Sequence, residues 1–178
     1  MSSQKDEIAT IKKRKLEINL SDADCLRISY LCGKHNITVA ELLENFIGDL
    51  VGGTYTNGSD ECDYAERYFE RCWFGMYPEH TLLNFILSGS NVDIDDFMEL
   101  LEQLEDYKAD LKEYEKNPEK DWDLEEIGFL KTDIEDLENK LDQIKKDFFK
   151  VNSSADWEKE IEVVRKFVTE KEKLVECQ

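Results

Sequence analysis

The 178 residues carry 23 Lys or Arg against 42 Asp or Glu, a formal net charge of -19, with 40% hydrophobic residues, eight Gly and two Pro. So few breakers among 37% charged residues exclude collagen-like and low-complexity chains and favour long helices in one or two folding units, a mainly α protein. The acidity excludes general affinity for nucleic acid over most of the surface and favours basic partners, among them the positively charged grooves of nucleic-acid enzymes.

The charge is uneven. Residues 1–56 hold seven Lys or Arg against eight Asp or Glu, leaving sixteen against thirty-four for residues 57–178. A near-neutral head therefore precedes an acidic body. Residues 1–12 are polar and read as a disordered arm. From Lys13 the order Lys-Arg-Lys-Leu-Glu-Ile-Asn-Leu-Ser alternates, with Leu16, Ile18 and Leu20 on one face and Lys15, Glu17 and Asn19 on the other. That period of two predicts a half-buried strand. Ser21 can cap a helix whose first turn holds Asp22 and Asp24, with Leu26, Ile28, Tyr30 and Leu31 on its apolar side and Gly33 as its stop. Thr38-Val39-Ala40-Glu41 is a capping box opening a second helix with Leu42, Leu43, Phe46, Ile47 and Leu50, and Gly52-Gly53 ends it.

One strand and two helices cannot close a core, because a lone strand leaves both edges unpaired; a second copy of the chain would pair them. The alternating Lys-Leu-Glu-Ile-Asn-Leu-Ser, the helix ending at Gly33 and the Ile-Thr-Val-Ala-Glu-Leu-Leu opening of the next helix make residues 13–53 resemble the ribbon-helix-helix family. The resemblance implies a homodimer whose two strands form an antiparallel ribbon over four helices, with Leu16, Ile18, Leu20, Leu43, Phe46 and Ile47 as its core. It also implies contact with double-stranded DNA through Lys12, Lys13, Arg14, Lys15 and Asn19, with Thr38 and its neighbouring N–H groups on a phosphate. Glu17 departs from that pattern: at the centre of the reading face it accepts only from a cytosine amino group and otherwise repels phosphate.

Residues 54–60 form a turn-rich linker with an Asn-Gly signal. The segment 61–88 follows, with Tyr64, Tyr68, Phe69, Trp73 and Phe74 on one aromatic helix and Leu82, Leu83, Phe85, Ile86 and Leu87 on a second, short one. Residues 93–176 read as an acidic antiparallel helical hairpin or coiled coil with a third helix folded back. Ile94, Phe97, Leu101, Leu104 and Leu111 form one apolar seam, and Asn117-Pro118 breaks it. Ile127, Leu130, Ile134, Leu137, Leu141, Ile144 and Phe148 step 3,4,3,4,3,4, and Trp157, Ile161, Val164 and Val168 form a third seam.

Cys25, Cys32, Cys62, Cys72 and Cys177 are an odd set without CxxC spacing, and neither a signal peptide nor a run of 18 apolar residues is present. They read as free thiols of a cytoplasmic protein in a bacterial host cell, with no membrane partner. Zinc on Cys62, Cys72 and His80 is the sharper alternative, but spacings of ten and eight fit no common finger. The two histidines, His35 and His80, have no motif partner, and neither a GxSxG nor a phosphate-binding Gly loop occurs, so no catalytic residue and no cofactor is expected. The acidic pairs Asp95-Asp96 and Asp121 with Asp123 read as solvated faces or helix caps rather than cation sites.

The aromatic stripe reads as core in preference to a base-stacking platform, given the acids around it. Glu99, Glu102, Glu105, Asp106, Asp110 and Glu113, with Glu115, outnumber Lys108, Lys112 and Lys116. Such a face keeps a coiled coil soluble, or imitates the phosphate row of a duplex in a basic groove. In its size, acidity, free cysteines and the segments Leu42–Leu50 and Glu70–Gly75, the whole chain looks like proteins of phages and mobile elements of gut Firmicutes, which include type II-A anti-CRISPR proteins. That resemblance implies a non-enzymatic inhibitor binding a Cas9-type nuclease, with possible DNA contact through the dimer. The alternatives are a ribbon-helix-helix repressor and a coiled-coil adaptor.

Overall fold

Helices account for all of the regular structure in this computed structural model, which describes residues 4–53, 56, 58, 60–116 and 124–176. The chain divides into two units, Met1–Pro78 with Lys173–Gln178, and Glu79–Glu172.

In the first unit, α1 (Gln4–Ala9) occupies half of the expected disordered arm, and Lys5 to Ala9 are exposed. Residues 11–21 carry no regular element, and no strand forms among the described residues. The expected strand is not formed by the single chain: Leu16, Ile18 and Leu20 are 53, 61 and 51% exposed, and Lys15, Glu17 and Asn19 are exposed beside them. The reason is physical. A strand exists through ladder hydrogen bonds to a neighbour, and among the described residues the alternating segment has no second strand to pair with.

Helix α2 (Asp22–Lys34) is capped as expected, the Asp24 N–H donating to the Ser21 hydroxyl at 3.1 Å. The helix ends one residue past the expected stop at Gly33. The helix runs through Gly33, and the chain reverses at Asn36, whose φ of 56° is left-handed, with the Ile37 N–H donating to the Cys32 carbonyl at 3.2 Å. Asn is the residue that, after Gly, tolerates this conformation at a helix C-terminus. Helix α3 (Val39–Leu50) opens on the Thr38 box and ends where Gly52 takes φ 58°.

Helix α4 (Glu61–Arg71) and the single turn α5 (Trp73–Met76) meet at a tight corner. A Cβ on Gly75 would lie 1.7 Å from the Phe69 carbonyl oxygen, so only glycine fits there. Across the described part of this unit only Cys32 and Ala65 are buried.

The second unit closes its own core. Helix α6 (Leu82–Gly89), α7 (Ile94–Lys116), α8 (Leu124–Val151) and α9, which runs from Trp157 to Glu176, contribute to it. Leu82, Ile86, Phe97, Leu101, Ile144, Phe148, Trp157 and Val164 form one cluster, and Leu104, Ile134 and Leu137 a second. Early α7 residues meet late α8 residues and late α7 residues meet early α8 residues, so the pair is antiparallel, as the broken seam predicted. The 3,4 seam of α8 faces inward throughout: Ile134, Leu137, Ile144 and Phe148 are buried, and Ile127, Leu130 and Leu141 half-buried.

Helix α6, grouped by sequence with the aromatic segment 61–88, packs instead on α7 to α9. Its Leu82 N–H donates to the Glu160 carboxylate at 2.8 Å, and the Asn152 side chain donates to the His80 carbonyl at 3.0 Å. The Asn117-Pro118 break, the Asp121 and Asp123 pair, Asn57 and Cys177 lie outside the described residues.

Candidate functional site

The basic edge lies on the segment 11–20, where Lys12, Lys13, Arg14, Lys15 and Asn19 are all exposed. Two of its cations are engaged. Lys15 pairs with Glu17 at 3.2 Å, both side chains largely exposed, and the Arg14 guanidinium donates to the carbonyl of Val175 in the last turn of α9. Glu17 thus neutralises part of the face expected to read DNA.

Thr38, the expected phosphate anchor, is already occupied. Its hydroxyl accepts from the Glu41 N–H at 3.1 Å, and its own N–H donates to the Glu41 carboxylate at 2.6 Å. The backbone bond from Thr38, then the hydroxyl, holds the Glu41 carboxyl below its ordinary range, so the carboxylate stays charged there at neutral pH. A helix N-terminus that already holds an anion offers a phosphate little further attraction. The capping box is legible in the sequence; its competition with phosphate follows only from the geometry.

The acidic residues sit on α7. At about 100° per residue, Glu99, Glu102, Asp106, Asp110 and Glu113 fall within about 80° of one another, on the side of the helix opposite Phe97, Leu101 and Leu104. All five are exposed. They span about 21 Å, one carboxylate per roughly 5 Å of axis, against one charge per about 3.4 Å along each strand of a duplex. Lys108 lies on the other half of the helix and pairs with Glu138 at 2.6 Å.

Glu105, grouped with the stripe by sequence, is set apart from it: it faces α9 and pairs with Arg165 at 2.6 Å. Lys171 donates to Asp95 at 2.6 Å, an ion pair that holds the Lys171 ammonium above its usual value. These flanking pairs on α9 are the contacts sequence reasoning missed, because nothing local marks Arg165 or Lys171 as neighbours of α7.

The residues expected in a dimer core leave their apolar sides open. Leu16, Ile18 and Leu20 are more than half exposed, and Leu43, Phe46 and Ile47 between 36 and 45%. Phe46 touches Tyr68 edge-to-face at 6.2 Å, and Tyr68 in turn meets Phe69 and Phe74, so the open side of α3 continues onto α4 and α5.

The Cys62 thiol donates to the Leu50 carbonyl at 3.7 Å. Cys72 lies beside the Tyr68 hydroxyl and pushes that phenol above its usual value. Among the described residues no three His, Cys, Asp or Glu side chains converge on a metal position, and no helix is long and apolar enough to cross a membrane. Comparison with known family models, curated proteins and solved structures finds no significant match.

Proposed function

We propose that this chain is a non-enzymatic inhibitor of the anti-CRISPR kind, a homodimer built on a ribbon-helix-helix module whose acidic helix α7 enters the basic nucleic-acid groove of a Cas9-type nuclease. The observation that carries the reading is the α7 stripe. Glu99, Glu102, Asp106, Asp110 and Glu113 project from one side of a rigid helix, all exposed, at a charge density within a factor of about 1.5 of a duplex strand. The opposite side of that helix is anchored in a closed core, so the carboxylates keep a fixed spacing when they bind. In this reading the N-terminal module assembles the dimer more than it reads sequence, since Glu17 and Glu41 place negative charge at two points where phosphate would sit.

Titrating the purified protein into a guide-loaded Cas9 cleavage reaction tests the proposal, with naked-DNA mobility followed in the same samples. Cleavage is lost as the protein reaches the nuclease concentration, and changing Glu99, Glu102, Asp106, Asp110 and Glu113 to Lys restores it. Full inhibition by that variant would remove the mimicry. The second reading, a DNA-binding repressor, is favoured by the exposure of Lys12 and Lys13. It predicts a DNA shift that vanishes when Lys13, Arg14 and Lys15 become Glu. Cleavage that persists together with such a shift selects the repressor; no effect on either leaves the coiled-coil adaptor.

A further inference from the structure

The rings on α4 and α5 are the largest feature of the first unit that the proposed inhibitor function leaves unused. Tyr64, Tyr68, Phe69, Trp73, Phe74 and Tyr77 are between 44 and 74% exposed. At about 200 Å² for each such side chain, they leave on the order of 700 Å² of ring surface open. The largest apolar patch on an ordinary monomer is about 300–600 Å² in all. A stable interface needs about 800 Å² per partner. The rings alone approach that requirement, and the open side chains of Leu43, Phe46 and Ile47 on α3, joined to the rings by the contact of Phe46 with Tyr68, bring the face to it.

The middle of the patch is one connected cluster. Phe46 of α3 meets Tyr68 at 6.2 Å, Tyr68 meets Phe74 at 6.4 Å, and Phe69 meets Phe74 at 5.5 Å. Gly75 locks the corner that presents these rings, because its Cα lies against the Phe69 carbonyl with no room for a side chain.

What covers such a face is decided by when it must be covered. With only Cys32 and Ala65 buried among its described residues, the first unit has too little core to hold its helices alone. Its cover must therefore assemble together with folding, and a second copy is the partner made wherever the chain itself is made, bound in proportion to its concentration. The rim suits self-association, since Arg67 and Arg71 alternate with Glu66 and Glu70 along α4, giving both signs to a two-fold interface in which each residue meets its counterpart's neighbour. We infer that the α4–α5 rings form a second layer of the homodimer interface, packing against a second copy of this chain beyond the ribbon and α3. The inference rests on the dimer reading above, but it assigns the interface to residues outside the ribbon-helix-helix module.

Sedimentation equilibrium of the full chain tests it, with two double variants. Trp73→Ser with Tyr77→Ser removes two rings that meet at a tilt, centroids 4.4 Å apart, and are exposed, so the helices of the single chain stand, as circular dichroism checks. Leu16→Asp with Ile18→Asp breaks the ribbon. The expected result is a wild-type dimer whose Kd rises about 100-fold or more in the ring variant, as for truncation of aromatic hot spots. Dissociation of the ring variant with an intact dimer in the ribbon variant would keep the inference and remove the ribbon. An unchanged Kd in the ring variant overturns the inference, whether or not the ribbon variant dissociates. A wild-type chain that sediments as a monomer overturns both in favour of a foreign partner. Should the double ring variant lose helicity, Tyr64→Arg, at a position 60% exposed, replaces it under the same criteria.

Discussion

The two units use the same kind of amphipathic helix and reach opposite ends. In the second, Leu82, Phe97, Phe148 and Val164 lose essentially all their exposure, because four helices of one chain surround a common interior. In the first, α3 carries apolar side chains at equally regular spacing, yet Leu43, Phe46 and Ile47 stay open and no residue of the helix is fully buried. The difference is the number of surfaces available. A helix face becomes a core only when the chain supplies a second and a third face to meet it. Amphipathicity marks a surface to be covered without saying which molecule covers it.

The comparison breaks or sharpens in a graded series. Phe148→Ala, at a side chain with no exposed surface, should cost the second unit about 3–5 kcal/mol. Urea titration followed by circular dichroism checks this, and Leu137→Asp should approach the same loss by placing a charge in the seam. Dilution should leave the melting of the second unit unchanged while lowering that of the first. A midpoint independent of protein concentration in both units would remove the contrast.

Next in size, Gly75→Ala forces the α4–α5 corner apart, since the new Cβ would meet the Phe69 carbonyl at 1.7 Å. An overpacking cost of about 1–3 kcal/mol, confined to the first unit, should appear as faster amide exchange in residues 61–76 alone. Glu160→Ala deprives the Leu82 N–H of the carboxylate that caps α6. A loss of about 1–2 kcal/mol is expected in the second unit, read as earlier melting of α6 in the same exchange experiment.

The smallest effects concern the Thr38 box. Thr38→Ala should cost about 1 kcal/mol in the first unit. Acid should act in the same place. The Glu41 carboxyl titrates lower in the folded chain than in the unfolded one, so its stabilisation is complete above the ordinary carboxylate value of about 4.3 and is lost as pH falls through the lower folded value. Thr38→Ala keeps the backbone N–H that is the larger cause and should lose only the hydroxyl's share, whereas Glu41→Gln, which removes the titrating carboxyl, should lack that part of the acid dependence; an identical acid limb in Glu41→Gln and the parent protein would refute it.

Much of the second unit is legible in the residue order alone. The 3,4 steps from Ile127 to Phe148 name the inward face of α8 residue by residue, and the interruption after Leu111 gives the antiparallel order of α7 and α8. Local chemistry is equally readable at Ser21, Thr38 and Gly52, where capping and left-handed backbone depend on one or two residues. The α6 assignment is not legible, because its partner Glu160 lies 78 positions away and Leu82 to Leu87 look the same whichever neighbour they join. The acidic face is half legible. Helical spacing collects Glu99, Glu102, Asp106, Asp110 and Glu113, but only the packing of α9 against α7 removes Glu105 from the stripe by giving it Arg165.

The sequence by itself determined where α2, α3 and α7 to α9 run, how α2 and α3 are capped and which side of each of these helices is apolar, because those properties depend on neighbours within one or two turns. Tertiary structure alone decided which apolar sides become core and which carboxylates face solvent. It also decided that residues 13–20 stay without a strand in the single chain, because pairing and burial depend on partners that adjacent positions do not specify.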